Sequence, residues 1–236
     1  MKLVLFDVDG TLLTASGAGR RALEQALREV YGAVGPIDRY DFRGGTDLLI
    51  VRDLLRLAGL SAETVAASEA RLFERYAACL EAEIGDGRNV RLYPGVREAV
   101  ERLEGTPGCL VGLLTGNSEA GARLKLSPTG LWPRFRLGAY GTDHEDRNRL
   151  PAVAARRAEA LVGRPFAGAD VVVIGDTPRD IDCARAFGAR AIAVATGWHT
   201  LADLEAHGPD RLFSDLGDVD RVVAAILDGD GRTGRP

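Results

Sequence analysis

The chain has 236 residues, 46% of them hydrophobic and 27% charged; that is enough apolar material for a core, which excludes a disordered chain, and a length for one large domain or one domain with an insert. A net charge of −4, from 30 basic and 34 acidic residues, gives no electrostatic footprint for nucleic acid or an anionic membrane. Cys79, Cys109 and Cys183 are too scattered for a disulfide framework or a zinc site, and no apolar run approaches the ~18 residues of a membrane span, so a soluble, cytoplasmic protein is expected.

Leu3-Val4-Leu5-Phe6 is a short continuous apolar run that predicts a strand buried on both faces. It ends in the polar cluster Asp7-Val8-Asp9-Gly10-Thr11. Residues 14–92 contain no convincing strand. Stretches 20–31 and 47–57 predict amphipathic helices, and between 63 and 84 apolar residues recur at Ala66, Ala70, Phe73, Ala77, Leu80 and Ile84, the three-four spacing of one helix face. Gly85-Asp86-Gly87 ends that helix, and Tyr93-Pro94-Gly95 marks the return. Residues 14–92 are therefore expected to form an all-helical insert after the first strand.

The remainder alternates. Helices are expected at 95–103, 118–126, 150–162, 178–187 and 218–227, and buried strands at 109–114, 171–174 and 191–195, with weaker strands at 137–140 and 211–213. Strands alternating with helices of this length imply right-handed crossovers and a Rossmann-like α/β fold, a parallel sheet with helices on both faces. Its segments are 1–13 and 93–228, and the Gly- and Arg-rich tail 229–236 is expected to fray.

In such a sheet ligands bind beyond the carboxyl ends of the strands. Three polar clusters fall there: Asp7 to Thr11, Thr115-Gly116-Asn117, and Gly175-Asp176-Thr177-Pro178-Arg179-Asp180. Asp7, Asp9, Asp176 and Asp180 should converge, and that many carboxylates repel one another unless a cation sits among them. Hard oxygen ligands favour magnesium, which works beside phosphates. Asp180 alone reads equally as a helix cap.

Phe6-Asp7-Val8-Asp9-Gly10-Thr11-Leu12 resembles the DxDGT signature of the haloacid-dehalogenase-like (HAD) phosphohydrolases; Thr115 matches their second motif and Gly175 to Asp180 their fourth, GDxxxD. The resemblance spans residues 2 to about 227, and the position of the helical insert resembles the C1 cap of the phosphoglycolate-phosphatase-like branch. It implies Asp7 as a nucleophile that forms an aspartyl-phosphate and Asp9 as the acid and base. It also implies Mg2+ held by the Asp7 carboxylate, the Asp9 main-chain carbonyl and Asp176, with Asp180 acting through water. Thr115 would bind a phosphate oxygen, helped by the backbone N–H groups of Gly116 and Asn117, and Gly10 would let the backbone approach the phosphate closely.

The family's third motif is a lysine, and here the chain departs from it. Lysine occurs only at Lys2 and Lys125, the other 28 basic residues being arginine; Lys2 precedes the first strand and Lys125 lies late in the helix after Thr115, so neither fits. An arginine of the stretch Asp146-Arg147-Asn148-Arg149-Leu150-Pro151 is expected to take the role, Arg147 by preference and Arg149 as the alternative. Arg43, in Arg43-Gly44-Gly45-Thr46-Asp47, either grips an anionic group of the substrate or stands exposed beside a capping turn. The expected activity is hydrolysis of a small phosphorylated metabolite, phosphoglycolate-like among the candidates, by a monomer or homodimer. A phosphomutase of the β-phosphoglucomutase type is the alternative. A dehalogenase would not need Asp9 or Asp176, a phosphonatase needs a cap lysine that is missing, and a non-catalytic protein would not need the full set.

Overall fold

In the computed structural model, which describes residues 1–228, the opening apolar run forms β1 (Lys2–Phe6) and lies inside a parallel sheet of six strands. Its partners are β4 (Cys109–Leu114) on one side and β6 (Val171–Gly175) on the other. Outward from these stand β5 (Gly138–Ala139) beyond β4, and β7 (Arg190–Val194) then β8 (Arg211–Phe213) beyond β6, giving the order β5-β4-β1-β6-β7-β8. The expected tail at 229–236 lies outside the described residues.

The apolar runs are continuous because both faces of the sheet are covered. Val4 and Phe6 of β1 join Val111, Leu113, Val172, Ile174, Ile192 and Val194 in one core, which α4 (Val96–Glu104) and α9 (Val219–Leu227) close. Leu3 and Leu5 point the other way and join Leu110, Leu114, Val171 and Val173 under α6 (Leu150–Val162) and α7 (Pro178–Phe187).

Between β1 and β4 the chain makes three long helices, α1 (Ala18–Tyr31), α2 (Asp47–Leu57) and α3 (Ala62–Ile84). The side chains of Thr46 and Ser61 accept from the N–H groups of Leu49 and Thr64 and so start α2 and α3. Leu23, Leu27, Leu54, Leu72 and Leu80 carry their inner faces. The stretch is not free of strands, in contrast to the sequence-based expectation. A two-residue ribbon, β2 (Leu13–Thr14) antiparallel to β3 (Arg91–Leu92), ties its two ends together; strands that short leave no alternation to read. Two other short elements differ from expectation. β5 keeps only two residues of the weak strand at 137–140, and α8 (Leu201–Glu205) is an additional helix, with Thr200 and Asp203 forming a capping box at its start. The segment from Thr115 leads into α5 (Glu119–Leu126), with Ser118 as its cap.

Candidate active site

Phe6 pairs with Leu113 on one side and Ile174 on the other, so β1, β4 and β6 end at one level and deliver Asp7, Thr115 and Asp176 to the same edge. Asp7 is buried and its N–H still donates to the Ile174 carbonyl, 2.9 Å away. The chain then turns at Gly10 with φ +86°. A Cβ there would stand 2.3 Å from Asp176 Oδ2, so only glycine admits both the turn and the neighbouring carboxylate. Thr11 Oγ1 donates to Asp176 Oδ1 at 3.0 Å and orients it.

Asp7, Asp176 and Asp180 each offer a carboxylate oxygen within 4.8 Å of the others, and all three are buried. Arg147 enters the same cluster from a short 3-10 turn, Arg147–Arg149, which the Asp146 carboxylate caps. Its Nη2 lies 3.1 Å from Asp7 Oδ1 and 2.5 Å from Asp180 Oδ1, and its Nη1 donates to the Gly44 carbonyl. Arg149, two residues on, is exposed. The structure therefore places Arg147, and not its alternative, beside Asp7. Asp180 Oδ2 also accepts from the Thr177 N–H and hydroxyl, so this residue caps α7 as well as facing the cluster.

Burial pushes the Asp7 carboxyl up to about 6; Arg147 pulls it down, and Asp180 and Asp9 add to the rise. Asp176 is raised well above the ordinary range by burial and by Asp7 and Asp180. Burial disfavours the Arg147 charge, but Asp180 and Asp7 outweigh it and the guanidinium is raised. One guanidinium leaves three buried carboxylates under-neutralised, and the donor set is all oxygen. A small divalent cation, with ligand oxygens about 4 Å apart across it, fits such a set.

Asp9 lines the same cavity. Its Oδ2 accepts from Asn117 Nδ2 at 2.8 Å and from Lys125 Nζ at 2.6 Å. Asn117 Nδ2 also donates to Thr115 Oγ1 (2.8 Å), and Asn117 Oδ1 accepts from Lys125 (2.6 Å). Lys125 thus reaches the site, a role the sequence reading did not foresee, but it meets Asp9 and not Asp7, where Arg147 stands. Thr115 is fully buried. Gly116 serves the seam with the helical insert: its carbonyl accepts from the Asp47 N–H at 2.6 Å, and a Cβ would lie 1.9 Å from the Gly45 carbonyl. The Asn117 N–H donates to Thr115 Oγ1.

Asp47 was missed by the sequence as more than a helix start. Its carboxylate accepts from the Ser118 N–H at 2.8 Å, so the first residue of α2 also satisfies the beginning of α5. Burial pushes Asp47 up to about 6, against the pull of Lys125 and the Ser118 N–H. Arg43 lies at the rim and pairs through Nε and Nη2 with both oxygens of Asp41, two residues away. Arg20 likewise pairs with Asp38. The cavity between these walls is about 620 Å³ and also meets Tyr40, Phe42, Tyr76 and Trp198.

A family model for haloacid dehalogenase-like hydrolases matches residues 1–188. The chain belongs to the haloacid dehalogenase-like hydrolase family. It is 30% identical to a phosphoglycolate phosphatase of Synechococcus elongatus over 96% of this chain and 99% of the relative, and 26% identical to one of Vibrio parahaemolyticus over 95% and 96%. The fold is shared with a hydrolase from Pseudomonas syringae (TM-score 0.71, 22% identity, 97% of this chain and 100% of that one). It is shared also with CbbY from Rhodobacter sphaeroides, solved with phosphate (TM-score 0.64, 19% identity, 93% and 96%). This HAD-like hydrolase is an enzyme of the phosphatase type, and HAD phosphatases use a divalent metal. Among the described residues no helix is long and apolar enough to cross a membrane.

Proposed function

We propose that this HAD-like hydrolase is a Mg2+-dependent phosphatase that cleaves a small phosphomonoester through an aspartyl-phosphate on Asp7. The observation that carries this is the meeting of three buried carboxylates and one buried guanidinium at the end of β1, with Asp9 and Thr115 lining the same cavity. Asp7 and Asp176 with the Asp9 carbonyl would hold the metal, and Asp180, its oxygens already engaged by Arg147 and Thr177, would meet it through water. When bound, that ion offsets the repulsion between carboxylate and phosphate.

The Asp7 carboxylate attacks phosphorus in line. The bond to the leaving oxygen breaks with its electron pair on that oxygen, and Asp9 supplies the proton. Water then attacks the aspartyl-phosphate, Asp9 takes its proton, and phosphate leaves Asp7 free. Arg147 compensates the charge shared by nucleophile and phosphoryl group. Thr115 contributes a hydroxyl to a phosphate oxygen, its own oxygen oriented by the Asn117 N–H, and Gly10 keeps the turn after Asp9 clear of the Asp176 carboxylate.

Residues 14–92 act as the cap and 1–13 with 93–228 as the core. The cap is seated by the Asp47–Ser118 and Thr46–Glu145 hydrogen bonds. Two relatives named phosphoglycolate phosphatase support a phosphoglycolate-like substrate, for whose carboxylate Arg43 would have to leave Asp41. Three free cysteines suit a reducing, cytoplasmic setting, and a monomer or homodimer would serve this chemistry. A panel of phosphomonoesters that includes phosphoglycolate tests the proposal by phosphate release. Release that needs Mg2+, stops with chelator and vanishes in a folded Asp7→Asn variant is expected; no release from any ester would overturn it.

A further inference from the structure

We propose that Lys125 is a positioning residue for the proton donor: with Asn117 it holds one oxygen of the Asp9 carboxylate and leaves the other to exchange the proton with the leaving group. This rests on the function proposed above, in which Asp9 is the acid and base.

Four observations lead there. First, both hydrogen bonds to the Asp9 carboxylate fall on Oδ2, from Lys125 Nζ and Asn117 Nδ2. Neither falls on Oδ1. Second, the Asp9 side chain is 46% exposed while that of Lys125 is 5% exposed, so a solvent-facing carboxylate is tied to a buried ammonium. Third, Asn117 closes a triangle: it accepts from Lys125, donates to Asp9 and donates to Thr115 Oγ1. The proton donor and the candidate phosphate-binding hydroxyl are thereby held by one side chain, which Lys125 orients through the amide oxygen.

Fourth, the surroundings are shaped for an ammonium group. α1 carries glycine at residue 19, where a Cβ would lie 3.2 Å from Lys125 Nζ and 3.5 Å from the Tyr76 hydroxyl. Gly19 lies in the first turn of α1, and a side chain there would crowd the ammonium. The chain uses arginine for 28 of its 30 basic residues, yet this buried position beside Asp9 carries the compact ammonium of a lysine.

In the reaction, the bond from phosphorus to the leaving oxygen breaks, its electron pair stays on that oxygen, and the proton passes to it from Asp9 Oδ1. The carboxylate charge that remains is already held at Oδ2 by Lys125 and Asn117, with no reorganisation needed at that moment. Losing Lys125 frees the carboxylate to rotate, which matters in proportion to how much the leaving group needs a proton.

The test compares kcat/KM for phosphoglycolate, whose alkoxide needs protonation, with kcat/KM for p-nitrophenyl phosphate, whose phenolate does not. Lys125→Met should lower the first by about 100-fold and the second by less than about 5-fold, with a cooperative thermal melt retained. In an Asp9→Asn background the same change should alter the ratio by less than about 3-fold, because both act through one group. Should Lys125→Met fail to fold, Lys125→Gln, which keeps a donor and most of the length, is compared in the same way and should lower the ratio about 10-fold. Equal losses on both substrates, or a loss that persists undiminished without Asp9, would make Lys125 a packing residue and overturn the proposal. A wild-type protein inert on every phosphomonoester would strike the proposed function itself.

Discussion

Replacing Arg147 by methionine probes the charge balance on which the site depends. The side chain is 6% exposed and touches two carboxylates, Asp7 at 3.1 Å and Asp180 at 2.5 Å, themselves 6% and 2% exposed. Methionine fills most of the volume but leaves both carboxylates buried without their cation. Breaking a buried pair in this way costs about 3–5 kcal/mol. For a chain of this size, at roughly 2–4 °C per kcal/mol, the melting temperature should fall by about 6–20 °C. The loss should shrink at pH 5, where Asp7, raised to about 6, already carries a proton in the native protein. Mg2+ should restore part of the stability at pH 7.5, but turnover should remain down by about 10³-fold, because the charge that compensates the phosphoryl group is gone. Thermal melts with and without Mg2+, and phosphate release, measure all of this, and Arg149→Ala serves as the exposed control, expected within about 0.5 kcal/mol of wild type. An Arg147→Met variant that melts and turns over like Arg149→Ala would refute the assignment.

Other consequences follow from the same geometry. Asp9→Asn should cost on the order of 10²–10⁴-fold in alkyl phosphate turnover by steady-state assay; unchanged turnover would remove Asp9 from the chemistry. Asp47, pushed up to about 6 from an ordinary value of 3.8, binds its proton more tightly folded than unfolded. Its contribution to stability is therefore full below about pH 4 and is lost as pH rises to about 6. Asp47→Asn removes that dependence and, measured by denaturant unfolding, should gain up to about 3 kcal/mol relative to wild type between pH 4 and 7.5; a flat difference across that range would contradict the burial argument. Because Asp7 and Asp176 are both raised, protons compete with the metal. The rise in melting temperature on adding Mg2+ should be larger at about pH 7.5 than at about pH 5.5, and an equal rise would mean that these carboxylates are not the ligands.

The sheet was legible because its strands are buried on both faces, so Leu3 to Phe6 and residues 171–174 read as unbroken apolar runs. The three long helices of the insert were legible as helices, but the inner face of α3 was not: Leu80 and Ile84 are buried as expected, whereas Ala66 and Ala70 are exposed and Val65, Leu72, Tyr76 and Cys79 face the core instead. The ribbon of Leu13–Thr14 and Arg91–Leu92 was not, since it pairs two residues a side from opposite ends of the insert. Asp7, Asp9, Thr115 and Asp176 were found because each stands at the end of a strand. Lys125 escaped for the opposite reason. It lies two turns into α5, and helical side chains tilt back towards the N-terminus, which returns the ammonium to Asp9. A signal was present: Ser118, Gly121 and Lys125 share the buried face of that helix, and a lysine there needs a partner. The second role of Asp47, closing the start of α5 from another helix, is a tertiary contact with no local trace.

Covalent capture at residue 7 goes most directly to the centre of the account. The protein is mixed with Mg2+ and radiolabelled phosphomonoester, quenched in acid within the first turnovers, digested, and the label located by mass spectrometry. Label on the peptide that begins the chain, at Asp7, discharged by hydroxylamine and absent from Asp7→Asn, is the predicted result. Steady phosphate release with no trappable label, or label carried on another residue, would contradict it.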